Sequence, residues 1–217
     1  MCPLRNAAAA WLGLAALAVP AHALTTSHLS SDTAYLNLAP VLAFVAEGRV
    51  GDRGGAATFE LDLGQETSAP AVQAQYDWQN SQAEPFSLTY DALSGGVTFA
   101  LGGRTLSYAA TGVLREVFVR TRAVNAGTSI SVSSLVLDGV VVGDASAAIA
   151  DGVDYLRIEG AGLSDGFTLT GVATMLWAGA APTQSRLAFQ IKVGTTDRHV
   201  GIESEAWEGV KRLYRTP

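Results

Sequence analysis

Cysteine and histidine are nearly absent from this chain. Its single cysteine is Cys2, and its three histidines, His22, His28 and His199, all lie outside residues 41–194. Nucleophilic triads and most zinc sites use histidine or cysteine as the base or the ligand. The sequence therefore argues against both kinds of site within residues 41–194, and no disulfide can stabilise that stretch.

Positive charge is also scarce. The chain has 14 lysines and arginines against 20 aspartates and glutamates, and only Lys192 and Lys211 are lysines. Proteins that bind nucleic acid depend on clustered lysine and arginine to neutralise phosphates. We therefore predict no nucleic-acid partner.

The start of the chain has the parts of an export signal. Arg5 precedes an apolar run over residues 7–19, and residues 21–23 supply the small side chains that signal peptidase reads. This run is shorter than the roughly 20 apolar residues of a membrane-spanning helix. We expect residues 1–23 to be a cleaved signal peptide, which also removes Cys2. The mature protein is then secreted or at the cell surface, without a stable membrane span.

Short stretches of alternating apolar and polar residues follow one another along residues 41–194. Residues 58–63 alternate strictly, residues 84–103 have the pattern of a hairpin, and Asp138-Gly139 is a signal for a two-residue turn. Closely spaced strands without intervening helices indicate an all-β fold. We predict a two-sheet antiparallel β-sandwich, jelly-roll-like, behind the cleavable signal peptide.

The pattern divides the chain into four segments. One domain is enough for a chain of this length. The segments are a signal peptide (1–23), an N-terminal arm with room for one early strand (24–40), the β-sandwich domain (41–194) and a polar C-terminal tail in which Ala206, Val210 and Leu213 have the spacing of a short helix (195–217).

Six phrases, in their order and spacing, resemble the choice-of-anchor W domain over about residues 44–194. They are EGRVGD (47–52), ATFELDLG (57–64), FSLTYD (86–91), VTFALGG (97–103), LSDGFTLTG (163–171) and RLAFQIKVG (186–194). The resemblance implies a bacterial exported domain joined to varying surface-sorting tails, notably of the PEP-CTERM kind. It also implies a cell-surface or exopolysaccharide-associated protein, and it implies no catalytic residues for this chain. The tail departs from this pattern because it lacks an apolar anchor, so free secretion is the expectation for this chain.

Tyr76 and Trp78 are candidates for a carbohydrate platform. They project from one face if residues 75–78 form a strand, and the amides of Gln79 and Asn80 follow. Flat aromatic rings stack on sugars while amides fix the sugar's orientation. The alternative is that the aromatic pair belongs to the core of the sandwich.

Asp144, Asp151 and Asp154 are candidate calcium ligands. They lie in or beside a Gly-containing loop, and Ca²⁺ prefers oxygen ligands of this kind. Aspartates in such loops also stabilise turns through bonds to their own backbone, which is the alternative. No other cofactor is expected.

Two further surfaces have an alternative, purely structural interpretation. Glu60 and Asp62 share a strand face at a separation that suits a glycoside hydrolase, but alternating acids usually form the solvated side of a strand. Arg120 and Arg122 form a positive stripe that suits an acidic exopolysaccharide, or else pair with acids on a neighbouring strand.

The leading interpretation is a non-enzymatic secreted or cell-surface protein of the extracellular polysaccharide layer. Its alternatives are a carbohydrate-binding module and, less favoured, a carboxylate-based glycoside hydrolase.

Overall fold

A computed structural model describes residues 24–51, 60–65, 72–160 and 162–195. The predicted signal peptide and the tail beyond Thr195 lie outside these residues. The described residues form strands joined by turns, with one short α-helix and a single 3-10 turn. The predicted all-β class is confirmed.

In the described residues, fourteen strands form two antiparallel sheets. Sheet A contains, in spatial order, β1 (Thr25–Leu29), β12 (Gly152–Glu159), β8 (Leu114–Ala123), β14 (Leu187–Thr195), β2 (Leu42–Arg49), β3 (Leu61–Gly64) and β4 (Val72–Ala74). Sheet B contains, in spatial order, β10 (Val140–Val141), β9 (Thr128–Leu137), β13 (Phe167–Trp177), β5 (Ala83–Asp91), β6 (Gly96–Leu101) and β7 (Arg104–Ala109), with β11 (Ser146–Ile149) also paired to β9.

The inner faces of the two sheets meet in one apolar core. Phe189 of sheet A is fully buried, and its ring centroid lies 5.8 Å from that of Phe86 and 6.5 Å from that of Phe99, both of sheet B. Burial of side chains of this size is the main term that stabilises a domain without disulfides. The predicted two-sheet sandwich is therefore confirmed.

Two turns show how local sequence sets the pairing of the strands. Residues 84–103 form the predicted hairpin, in which Phe86 of β5 pairs with Leu101 of β6. Asp138 and Gly139 join β9 to β10 and have φ values of +49° and +80°. Positive φ at both central residues is the geometry of the type I′ hairpin turn that Asp-Gly favours.

The N-terminal arm belongs to the folded sandwich. Its strand β1 pairs with β12 at the edge of sheet A, and a short helix, α1 (Asp32–Leu36), follows. Ser31 caps this helix by accepting a hydrogen bond from the Ala34 amide at 3.1 Å. Tyr35 then packs on the outer face of sheet A, so this face is partly covered by the arm.

Tyr35 is the side chain that attaches the arm to the sheet. Its ring stacks on that of Tyr155 at 4.6 Å and meets that of Phe118 edge to face at 5.1 Å. All three rings are nearly inaccessible to solvent and form a second, smaller apolar cluster.

Candidate functional site

The structure does not support the predicted aromatic platform at Trp78. Residues 75–79 form no strand, and Trp78 is only 1 % exposed. Its ring meets those of Tyr76 and Phe189 edge to face, at 4.9 and 6.2 Å. A Cβ at Gly48 would lie 3.0 Å from the Trp78 ring, so this indole fills a space that a glycine leaves open. The prediction that Trp78 presents a flat face to a sugar is therefore wrong, and Tyr76 remains half-buried against it.

The amides of Gln79 and Asn80 are likewise used within the protein. Asn80 donates to the Trp177 carbonyl at 2.8 Å and accepts from the Trp177 amide at 2.9 Å, which fixes the end of β13. Gln79 is exposed, and its side chain bonds to Asp77. The four predicted platform residues thus do not form one sugar-binding surface.

Glu60 and Asp62 are each 6 % exposed, so the expectation that they form a solvated strand face is wrong. A Glu60 oxygen accepts a hydrogen bond from the Tyr76 amide at 3.1 Å. Asp62 accepts one from Gln73 at 2.8 Å and forms an ion pair with Arg49. Burial raises the pKa of Asp62, while Arg49 opposes this shift.

A second carboxylate, Glu47, lies directly opposite Asp62 on β2. Arg49 lies 3.5 Å from a Glu47 oxygen and also contacts Asp62, and Gln190 donates to the other Glu47 oxygen at 3.0 Å. These groups form a polar row across sheet A. Because its acids already have cationic and amide partners, we interpret the row as a structural network.

The network continues under helix α1. Arg120 donates two hydrogen bonds to Asp32, at 2.9 and 3.0 Å, and the Tyr155 hydroxyl donates a third at 2.6 Å. Arg120 thus pairs with an acid, as its structural interpretation predicted, but this acid lies on helix α1 and not on a neighbouring strand. Lys192 is 1 % exposed, with its ammonium 5.4 Å from the Tyr35 ring centre, and burial lowers its pKa to about 8. The outer face of sheet A is therefore a largely buried, charged layer.

The three predicted calcium ligands do not converge. Asp144 and Asp154 lie on either side of His28, whose two ring nitrogens are 3.1 and 2.9 Å from their carboxylates. Asp151 is a turn residue between β11 and β12, with a φ of +59°. In the part of the chain that the structure describes, no three acidic, histidine or cysteine side chains are grouped so that they could hold a metal ion.

The outer face of sheet B is open and rich in hydroxyl groups. We call its central part the hydroxyl face. It consists of seven exposed or half-exposed side chains on β5, β6, β7 and β13: Ser87, Thr89, Thr98, Thr105, Ser107, Thr168 and Thr170.

These hydroxyls form two rows across the strands. One row runs Thr168, Thr89, Thr98 and Ser107, with one residue from each strand. The other runs Thr170, Ser87, Ala100 and Thr105, and Ala100 interrupts its hydroxyls. Neighbouring strands lie about 4.8 Å apart, and residues two apart along a strand are separated by about 6.7 Å, so the face is a regular array.

The hydroxyl face is uncharged and can still form hydrogen bonds. Its charged groups lie at the rim: Asp91 at the end of β5 bonds to the following turn, the exposed Arg104 begins β7, and the Asp138 carboxylate accepts a hydrogen bond from the Thr168 amide at 2.7 Å. The Thr89 and Thr168 hydroxyl oxygens are 3.2 Å apart. A hydroxyl has one donor and two acceptor positions, so this contact leaves each group able to bind a further partner.

Sequence reasoning missed this face for an identifiable reason. Serine and threonine occupy the polar positions of single strands, for example Ser87 and Thr89, and this signal is visible in the sequence. Two rows appear only once β13, β5, β6 and β7 are known to be neighbours, and β13 follows β5 by some eighty residues. The spacing of strands along the chain does not give that order.

None of the helices in the described segments is both long enough and apolar enough to cross a membrane. No protein-family model matches this chain, and no curated protein matches it.

Proposed function

We propose that this protein is an exported, non-enzymatic β-sandwich of the extracellular polysaccharide layer, and that the hydroxyl face is its binding surface for a neutral polysaccharide. Export rests on the predicted signal peptide and on the resemblance to the choice-of-anchor W domain. The observation that carries the binding proposal is the pair of uncharged hydroxyl rows on an open sheet face.

The chemistry of the face suits a neutral sugar chain. Sugar hydroxyls and protein hydroxyls each donate and accept hydrogen bonds. The hydroxyls of a sugar chain can therefore replace the water molecules that are bound to the hydroxyl face. No charge within the two rows has to lose its hydration for this exchange, because Asp91, Arg104 and Asp138 lie at the rim. A flat array without a cleft suits an extended polymer better than a small molecule, which needs a concave pocket.

The outer face of sheet A is a poorer candidate. Its carboxylates and cations already pair with one another, and Asp62 and Lys192 are nearly inaccessible. A ligand there has to break ion pairs that burial has strengthened.

The test is affinity electrophoresis through gels that contain a neutral polysaccharide, with an acidic polysaccharide in parallel. Thr98→Lys and Thr170→Lys place a charge in the array without changing the buried face. We expect retardation by the neutral polymer and at least about tenfold weaker binding by the variants, because the longer charged side chain holds the polymer away from the neighbouring hydroxyls and loses hydration where the two meet. Thr183→Lys, at an exposed loop position outside the array, is the matched control and is expected to bind as wild type. Binding that survives both array variants would refute this use of the face.

A glycoside hydrolase is the second candidate, and one observation favours it. Glu47 and Asp62 lie directly opposite each other on adjacent strands, and burial raises the pKa of Asp62, as a general acid requires. The Asp62 side chain is 8 % exposed, however, which leaves little room for a substrate to reach it. Release of reducing ends from polysaccharides, abolished by Asp62→Asn, would establish the hydrolase and overturn the non-enzymatic proposal.

A further inference from the structure

An open groove lies beside the C-terminal end of helix α1. It has a volume of about 460 Å³, and its lining includes Leu36, Pro40, Val41 and Gln65. Leu36 is 66 % exposed and Val41 40 % exposed, so aliphatic side chains face solvent there. Exposed aliphatic side chains beside a groove offer a surface on which an apolar segment can pack.

The described chain ends beside this groove. Thr195 is the last residue of β14, and its amide donates to the Val41 carbonyl at 2.8 Å. The Thr195 hydroxyl bonds to the same carbonyl at 3.3 Å. Residues 196–217 therefore continue from a point that is hydrogen-bonded to the lining of the groove.

The sequence of residues 196–217 has the pattern of a segment that needs such a surface. At 100° per residue, five apolar side chains fall within an arc of about 120° on a helix. They are Ala206, Trp207, Val210, Leu213 and Tyr214. A helix of this length is marginal in water by itself, so it depends on packing of its apolar face.

We infer that residues 203–214 dock as an amphipathic helix in the groove beside α1. The seven residues 196–202 can span up to about 23 Å, which is ample for a groove that begins at Val41. A pocket of this volume accepts a molecule of drug size, and hence one or two large side chains such as Trp207 and Leu213. This inference is independent of the proposed sugar-binding face, because the groove and the hydroxyl face belong to opposite sheets.

Disulfide trapping in the full chain tests this docking. In a Cys2→Ser background no native cysteine remains. Leu36→Cys combined with Val210→Cys places one thiol in the groove and one on the apolar face of the tail. Two pairs serve as controls: Leu36→Cys with Ser204→Cys, on the polar side of the helix, and Ile149→Cys with Val210→Cys. Ile149 is 72 % exposed and adjoins Gly152, which lies at the opposite end of sheet A from Thr195.

We expect mild oxidation to give an intramolecular disulfide for the Leu36 and Val210 pair, at least tenfold faster than for either control pair. Peptide mapping by mass spectrometry identifies the link. Equal rates for all three pairs would mean that the tail has no fixed place and would overturn the inference. Disulfide-linked dimers alone would show that a second copy fills the groove, and absence of any link would also overturn it.

Quenching of tryptophan fluorescence by acrylamide gives an independent measurement that needs no cysteine. Trp78 and Trp177 are buried, so quenching of the protein without its leader reports mainly on Trp207. We expect Val41→Asp in the groove to increase quenching, and Ile149→Asp to leave it unchanged. Identical quenching of wild type and Val41→Asp would contradict docking.

Discussion

His28 connects the N-terminal strand to the rest of the sandwich in a way that depends on pH. Its Nδ1 lies 2.9 Å from an Asp154 oxygen and its Nε2 lies 3.1 Å from an Asp144 oxygen. Ionised carboxylates only accept hydrogen bonds, so the doubly protonated ring satisfies both contacts, whereas a neutral ring leaves one nitrogen without a proton to donate. The hydrogen bond to Asp154, followed by the nearby negative charge, raises the pKa of His28 above its ordinary value of 6.5.

The direction of the pH effect follows from that shift. A group with a raised pKa in the folded state contributes its full stabilisation below the unfolded pKa, near 6.5, and loses it as pH rises through the folded pKa. The His28 side chain is 41 % exposed, so each contact is worth what a solvent-exposed ion pair is worth. Two such pairs give about 0.5–2 kcal/mol in total. For a domain of this size that is a change in Tm of about 1–8 °C.

Thermal unfolding of wild type and His28→Gln at pH 5.5 and pH 8.5 measures this contribution. We expect wild type to exceed His28→Gln in Tm at pH 5.5, and this difference to shrink at pH 8.5. His199 is present in both proteins and cancels. Amide exchange should accelerate first in β1, because β1 is an edge strand whose one partner among the described strands is β12. A difference in Tm that is the same at both pH values, or larger at pH 8.5, would refute the reasoning.

Four substitutions test other contacts. Tyr35→Phe should change the free energy of unfolding by less than about 0.5 kcal/mol, because the buried Tyr35 hydroxyl has no partner among the described residues. Tyr155→Phe should cost about 1.5–3 kcal/mol, because it removes the hydrogen bond to Asp32. Equal costs of the two substitutions in denaturant titrations would contradict this. Burial favours the neutral form of Asp32, but hydrogen bonds from its partners prevail and lower its pKa. Asp32→Asn should therefore cost stability at pH 7, and the cost should decrease progressively as pH falls below about 4. Unfolding measured at each pH tests this. Gly102→Ala should lower the Tm clearly, since Gly102 has a φ of +55° and an added Cβ would overlap the Tyr76 ring; an unchanged Tm would show that the turn relaxes freely.

The strands and hairpins were predictable because a period of two residues in the sequence is the period of a pleated strand. The hairpin over residues 84–103 and the turn at Asp138 needed only local signals. Trp78 was not predictable, since its neighbours Gly48 and Phe189 are distant in the sequence and residues 75–79 follow no regular period.

The buried acids show a different limit. Alternation placed Glu60 and Asp62 opposite the apolar residues of their strand, and β3 does turn Asp62 away from the core. A strand pattern says nothing about what covers its second face or which cations reach it. Arg49, which neutralises Asp62, lies on a different strand, so its pairing depends on the order of strands in sheet A.

Chemical-shift mapping by NMR tests the sugar-binding face most directly. Titration of the isotopically labelled protein with soluble oligosaccharides of a neutral polysaccharide should move the resonances of Thr89, Thr98, Thr168 and Thr170, and leave those of Glu47 and Gln190 on the other sheet in place. Shifts confined to sheet A, or no shifts with any neutral sugar chain, would contradict the assignment of the hydroxyl face as the binding surface.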